Sequence, residues 1–564
     1  MPIYTATRRK SVDERSPLVR HIDEWQRLSA DARKKVVGEG WFEDVEKFIS
    51  LTGYGNDQAP SFRPQIAIPE LQSLMFNEGN DLSELSPIVY IFNGISGKRE
   101  EDRERIFRSE WRQMMVNYHL MFSILWSLFG GTGFLQGGYD PDARNGKGSF
   151  WAKMRHPKST FPDPTTDYDL NWSYLILEDM RHIEWVKSHW PLTSARVKPK
   201  IAGMSSGRDN LLMNDSGYGF QMPPGPMSMI PGMPADRTMP SDSRVRVRYA
   251  FCKDYTREKV ENQEIPEGAI TTPDFLWKYP NGRLIVECEG EILQDGDNPY
   301  PQSMFNVVPV WGMPPMLGSI WATPPIRYTQ ALQGIAERML TGVFENGIRL
   351  NNGVWFIDAR TGIDPNDFGG LPGEVRIIDP NSPVPQCVFP AQMPAHFTQL
   401  PELLLNKQRV IQGFTEARQG KPGAGNISPD LQDASIEQSK GLTQLRGRML
   451  GFSVQTFAEL MFYTMARYYK TMRMAVRGDA GAEYGEWKNI QRPDQYDVLL
   501  DEASIQPMSE AMLRRIAPEL KKVGALPDKE LLEVYKFPDA AGVAQRIERE
   551  KELAALGRVK GNRR

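Results

Sequence analysis

The sequence predicts an α+β chain, and three stretches of it carry that prediction. RVRVRYAFCKDY, from Arg244, alternates strictly as a strand does, and KYPNGRLIVECEGEIL sets Asn281-Gly282 between apolar flanks, the strongest short hairpin signal; residues 243–295 are therefore expected to be antiparallel β. IRYTQALQGIAERMLTGVFENGIRL spaces Ile326, Ala331, Leu332, Ile335, Met339 and Val343 three to five apart, an amphipathic helix entered behind prolines. From Pro429 to about Arg477 there is no further proline and no strand punctuation, which predicts a helix of about 45 residues, roughly 65 Å long. Gly441, Gly447 and Gly451 would kink it.

The remaining elements follow in chain order. EWQRLSADARKKV, within residues 8–40, predicts a surface helix, and SPIVYIFNG a strand closed by the turn Asn93-Gly94. KREEDRERIFRSEWRQMMVNYHLMFSILWSLF, from Lys98, has no proline and predicts one long helix, polar at its start and buried at its end. GGTGFLQGGYD is expected to turn into the next segment, residues 160–172 to form a loop, and WSYLILEDMRHIEWVKSHW to be helical on the rhythm of Ile176, Leu177, Met180, Ile183 and Trp185. Met, Pro and Gly fill 13 of the 20 positions from 221 to 240, so about 203–243 is expected to be a long mobile excursion. NVVPVWGMPPMLGSIWATPP reads as a buried passage ending at Pro325. After the helix from Ile326 comes a compact β insert with five acidic residues against two arginines, then a second helix from about His396 to Arg418. A glycine-rich loop follows at 417–429, and the chain is helical again from 505 to the basic GRVKGNRR.

With 564 residues, 40% hydrophobic and 25% charged, the chain is globular and long enough for several modules. A net charge of -3 argues against tight, nonspecific nucleic-acid binding, which calls for a basic excess. Cys252, Cys288 and Cys387 are odd in number and lack CxxC spacing, so neither a disulfide framework nor a zinc cluster is indicated and assembly in a reducing cytoplasm is expected. No apolar run follows the basic N-terminus, so no secretory signal is expected.

Motifs that would define an enzyme are missing. GGTGFLQGG departs from GxGxxG spacing and follows a helix, whereas a dinucleotide site needs the glycines to lead into one. Neither Asn145–Ser149 nor Lys421 completes a Walker A loop, and the apolar run ending at Phe129 is too short for a membrane span. Asp163, Asp167 and Asp169, with His182 and His189, suggest a metal site, but no established ligand spacing supports it; Asp beside proline is turn chemistry. No catalytic residues, metal or cofactor are expected. What is left is architectural: two helices flanking an acidic β insert, a glycine loop and a very long helix suit a subunit whose faces are buried by its neighbours.

Four stretches, PIVYIFNGISGKREEDRERIFRSEW, FGGTGFLQGGYDP with FPDPTTD, YPNGRLIVECEGEIL with NPYPQSMFNVVPV, and WATPPIRYTQALQGIAERMLTGVFENG, resemble the portal (head-to-tail connector) proteins of tailed bacteriophages, the short-tailed type most closely. The resemblance implies a portal fold: an α+β wing at 1–325, stem helices at 326–350 and 396–416, and between them a small β-containing clip at 351–395. A tunnel loop would occupy 417–433, a long wing-spanning helix and its return 434–504, and a helical crown 505–564. It implies a homo-oligomeric ring of about 12 subunits at the capsid vertex of the virion, which passes double-stranded DNA without sequence specificity during packaging and ejection. Its partners would be the terminase large subunit, head-tail adaptor and tail proteins, and major capsid or scaffolding protein. Arg418, Lys421 and Asn426 of the tunnel loop would approach the DNA, and the clip acids Asp358, Asp364, Asp367, Glu374 and Asp379 would face terminase or adaptor. The alternatives are a metal-dependent nucleic-acid enzyme acting through Asp163, Asp167 and Asp169, or another tail or shell protein.

Overall fold

A computed structural model describes residues 16–50, 66–83, 88–165, 172–197, 244–259, 275–300, 305–316, 318–351, 354–356, 396–414, 441–469 and 495–501. It also describes short stretches at 358, 381, 386–388, 394, 418, 473–474, 486–487, 517–524, 526–535 and parts of 543–551. Helices and strands are mixed, as an α+β chain requires. The chain divides into two compact units, one comprising Met1–Phe42, Glu78–Pro325 and Gly441–Arg564, the other Glu43–Asn77 and Ile326–Lys440.

The first unit begins with α1 (Pro17–Val37), whose proline occupies the first turn, whose last turn carries Lys34 and Lys35, and which stops at Gly38 with φ 106°. Val19 and Ile22 on its inner face are fully buried. The helices α2 (Trp41–Ser50) and α3 (Glu70–Ser83) cross between the units. The strand β1 (Val89–Asn93) forms as expected and pairs with the last strand of the unit.

The segment from Lys98 is two helices, α4 (Glu101–Gln113) and α5 (Val116–Gly130), where one was expected. Met115 separates them at φ 51°, a left-handed conformation that costs a non-glycine residue ~1–3 kcal/mol. Side-chain bonds brace the break: Arg144 pairs with Glu110 at 2.8 Å, and the Trp111 indole donates across the break to Asn117 at 2.7 Å. Neither proline nor glycine marks the site in sequence.

The glycine run is not a turn. It is β2 (Thr132–Asp140), the middle strand of a three-stranded antiparallel sheet. Gly131 has φ 86°, and a Cβ there would lie 2.0 Å from the Ala322 carbonyl oxygen; at Gly133 it would lie 2.0 Å from that of Ser123 on α5. Backbone meets backbone at both positions, so the glycines serve close packing, not phosphate. A one-turn α6 (Ala143–Gly146) leads into β3 (Ser149–Arg155), which completes this sheet on one side.

Residues 160–172 were expected to be a loop, yet β4 (Thr160–Pro162) lies within them at the edge of a five-stranded sheet. Next to it runs β5 (Tyr174–His182), where a helix was expected; only α7 (Ile183–His189) is helical. The reason is burial on both faces. Tyr174 to Asp179 are buried without interruption between neighbouring strands, so no alternation survives to distinguish strand from helix. The sheet continues through β6 (Arg244–Cys252), a strand as expected.

A small ribbon of β7 (Arg257–Lys259) and β8 (Phe275–Trp277) stands apart, and the hairpin itself is displaced. It joins β9 (Arg283–Cys288) to β10 (Glu291–Asp297) through Glu289 and Gly290, whose φ of 48° and 96° make the turn, while Asn281-Gly282 turns the chain into β9 without pairing β8 to it. The sheet order is β10-β9-β6-β5-β4, with α1 closing a core of Ile22, Phe161, Tyr174, Ile176, Ala250, Cys252 and Ile285. The passage ending at Pro325 contains β11 (Val307–Trp311), buried throughout and paired with β2.

In the second unit α8 (Arg327–Asn351) and α9 (His396–Ile411) flank a paired β12 (Val354–Phe356) and β13 (Gln386–Val388). The chain then re-enters the first unit as α10 (Gly441–Tyr468), 28 residues long and uninterrupted, with Gly447 and Gly451 on buried positions instead of at a kink. It also stops short of the expected Arg477, because β14 (Arg473–Met474) already pairs with β15 (Glu486–Trp487). The last strand, β16 (Tyr496–Leu500), pairs with β1, and α11 (Asp528–Val534) lies within the C-terminal region expected to be helical, of which only parts are described. The expected excursion at 203–243, residues 429–440 of the long helix and the basic C-terminal tail lie outside the described residues.

Buried charges in the first unit are matched. Arg446 on α10 reaches Glu78 at 2.8 Å with both side chains essentially inaccessible, and Thr443 donates to the other Glu78 oxygen at 3.0 Å. Arg248 on β6 bonds Glu287 at 2.5 Å and Asp23 at 2.6 Å. His156, packed against Trp126 and Phe42, accepts the Lys158 N–H on Nδ1, and burial pushes its pKa down to about 3.

Candidate functional site

An amphipathic helix normally turns its apolar stripe inward. In the second unit α8 does the reverse. Thr329, Gln333 and Glu337, one turn apart from each other, are buried, while Ile335 is 46% and Tyr328 55% exposed. Of the apolar residues spaced in sequence, Ile326 is buried, Ala331 is exposed, and Leu332, Met339 and Val343 are only half-buried. On α9 the pattern repeats: Gln408 and Gln412 are inaccessible, while Leu403 and Val410 are 53% and 61% exposed.

Hydrogen-bond satisfaction explains why amides are inside. Residues 66–71 form a strap over the stripe, and its backbone N–H groups at Ile66, Ile68 and Leu71 donate to Thr341 Oγ1 (3.3 Å), Glu337 Oε1 (3.0 Å) and Gln333 Oε1 (3.1 Å). Gln333 returns its amide to the Ile68 carbonyl at 2.6 Å and to Glu337 at 3.0 Å, and accepts from Gln408 at 3.2 Å. Gln412 donates to Thr329 at 2.9 Å, and Arg409 pairs with Glu70 at 2.6 Å. Each seam glutamine thus has a partner, and a connected buried polar network favours one geometry, although the buried Gln408 Oε1 accepts no hydrogen bond. Burial raises the Glu337 pKa above the ordinary carboxyl value, against the opposing bonds from Ile68 and Gln333. The seam was missed in sequence because attention went to the apolar spacing; the four-residue repeat Thr329, Gln333, Glu337, Thr341 was the available signal.

Two of the eight residues named for DNA or partners fall within the described part. Arg418 follows α9, with its guanidinium 4.2 Å above the Phe414 ring and donating to the Gly413 carbonyl at 3.4 Å. Asp358 is exposed just beyond β12. Lys421 and Asn426, and Asp364, Asp367, Glu374 and Asp379, lie outside the described residues.

The residues of the metal alternative do not converge where they are described. Both Asp163 oxygens are engaged locally, by the Thr165 N–H and hydroxyl and by the Ser173 N–H, which is turn chemistry. His182 caps α7 by accepting the Glu184 N–H. Asp167 and Asp169 are outside the described residues, among which no group of three or more His, Cys, Asp or Glu is placed to hold a metal ion. A cavity of about 220 Å³ beside α1 is lined by Trp25, Lys253, Arg283 and Cys252, and burial pushes that thiol up to about 11. Among the described residues no helix is long and apolar enough to cross a membrane.

No protein-family model matches this chain, and no curated protein matches it.

Proposed function

We propose that the chain is a portal-type subunit: a non-enzymatic protein that assembles into a ring and conducts duplex DNA through a capsid vertex during packaging, head-tail joining and ejection. One observation carries the reading. The α8–α9 pair buries glutamine, threonine and glutamate and turns leucine, isoleucine and valine outward, which a chain working alone has no reason to do and a ring of copies does. The element order supports it, since the pair brackets a small β element and is followed by a long, largely buried helix, as in the resemblance drawn from sequence.

In this reading Arg418, Lys421 and Asn426 meet the passing duplex, and the acidic β insert faces terminase or adaptor while repelling DNA. A net charge of only -3 avoids the phosphate attraction that would stall sliding. Electron microscopy of the purified full chain tests it: rings with a central channel are expected, and a compact monomer at all concentrations would overturn it. A second test deletes residues 419–426, which should leave rings intact while impairing DNA packaging or retention.

A further inference from the structure

The first unit carries an aromatic surface that none of the functions above uses. At α7 the Trp185 ring lies tilted against His189 at 4.0 Å, carries the Arg181 guanidinium at 4.6 Å and meets Trp190 edge-on at 5.7 Å; the Trp190 indole is oriented by donating to Gln294 at 3.1 Å. Two residues further on, Leu192 is 92% exposed, and His189 is exposed beside it. A solvent-facing leucine at the end of a fixed aromatic cluster is a seat for apolar, polarisable groups.

The chain itself states what stands nearby. The structure describes Val197, five positions after Leu192, and next describes Arg244, whose register partner on β5 is His182, the residue that caps α7. Residues 198–243 therefore leave and return beside this one surface. Within them lies QMPPGPMSMIPGMPADRTMP, with Met222, Met227, Met229, Met233 and Met239 set among six prolines. Thioethers make favourable contacts with aromatic rings, and proline-rich segments dock on aromatic-lined surfaces as preformed extended chains.

We infer that the surface of Trp185, His189, Trp190 and Leu192 is the docking site of this chain's own residues 221–240. The magnitudes favour the tethered segment over a free partner. A segment anchored at both ends has an effective concentration on the order of millimolar, so a weak intrinsic affinity, with a dissociation constant of about a millimolar, is enough for half occupancy. The inference is independent of the ring reading.

Oxidative footprinting of tryptophans by mass spectrometry tests it on the full chain and on a chain with residues 221–240 replaced by Gly/Ser of equal length. Oxidation of Trp190 should rise several-fold on replacement, while Trp172 and Trp321, fully buried in the core, stay unmodified and report the fold. Should the replaced chain misfold by that criterion, a variant with the five methionines changed to serine carries the test, with the same direction expected. Equal reactivity of Trp190 in both chains, or equal protection in both, overturns the inference. Protection that fades on dilution overturns the intrachain seat and assigns the contact to the segment of a second copy.

Discussion

The two units solve the same problem in opposite ways. In the first, α10 buries Leu450, Phe457, Leu460, Met461 and Met465, and its one deep charge, Arg446, is matched by Glu78. In the second, α8 and α9 bury amides and a carboxyl and leave much of their apolar surface outside. The first unit packs an apolar core and matches its deepest charge within the chain, so its stability should respond to damage inside. The second has a polar seam that sets geometry and an outer surface whose stabilisation has to come from elsewhere. Substitutions that separate these two behaviours test the comparison.

The largest effect is expected at Arg446→Ala. It removes the arginine that pairs with the buried Glu78 carboxylate, and loss of one partner of a buried pair costs ~3–5 kcal/mol. Thermal or denaturant unfolding should show this, and the double variant Arg446→Met with Glu78→Leu should recover most of it, because a packed apolar pair replaces the ionic one. If the single variant loses under ~1 kcal/mol, the first unit is not held as described.

Gln333→Ala comes next. It orphans the Leu71 N–H, the Ile68 carbonyl and the Gln408 amide together, at ~1–3 kcal/mol for each group that water cannot reach. The loss should be local to the second unit: hydrogen exchange should quicken at 66–71 and along α8 while the five-stranded sheet keeps its protection. Uniform loss across both units would show that the seam is not an independent feature.

Acid should move the units in opposite directions. His156 has its pKa depressed from 6.5 to about 3, so the stability it contributes is complete above pH 6.5 and is lost as pH falls below that. At ~1.36 kcal/mol per unit, the first unit gives up roughly 2 kcal/mol by pH 5. Glu337 has its pKa raised above 4.5, so the stability linked to it is complete below that value and is lost as pH rises through the raised one. The Glu337→Gln chain keeps the acceptor for the Ile68 N–H and should therefore match the parent below pH 4.5 and exceed it at neutrality. Unfolding curves of both chains across pH 4–8 check this, and a neutral-pH loss in Glu337→Gln would mean that the charge itself is required.

How much of this was legible in sequence depends on which force fixed each element. Asn93-Gly94 and the alternation from Arg244 act locally, and the elements they mark formed. Met115 could not be read, since neither proline nor glycine marks its left-handed turn, which is braced by a local Trp111–Asn117 bond and by Arg144 from further along the chain. Strand β5 looked helical because full burial erased its alternation, and the hairpin moved from Asn281-Gly282 to Glu289-Gly290 because strand pairing overrode the better turn dipeptide. The glycines after Phe129 were visible as a feature, but their reason, backbone contact with Ser123 and Ala322, exists only in the fold. For the α8–α9 site the helices were legible and the orientation was not, because a period of 3.6 identifies two faces without saying which one a chain reserves for its neighbours.

The smallest effect on folding should come from the change that matters most to the comparison. Ile335→Ser with Val410→Ser alters two largely exposed side chains, and exposed substitutions seldom shift stability by more than ~0.5 kcal/mol. The same pair, if buried between copies, would forfeit ~1.5–3 kcal/mol for each side chain at every contact repeated around a ring. The double variant should therefore unfold like the parent yet remain small in analytical ultracentrifugation where the parent sediments as a large assembly. An unfolding midpoint that drops together with assembly would place these side chains in the unit's own core. A variant that assembles normally would leave the apolar faces of α8 and α9 without the role that their exposure indicates.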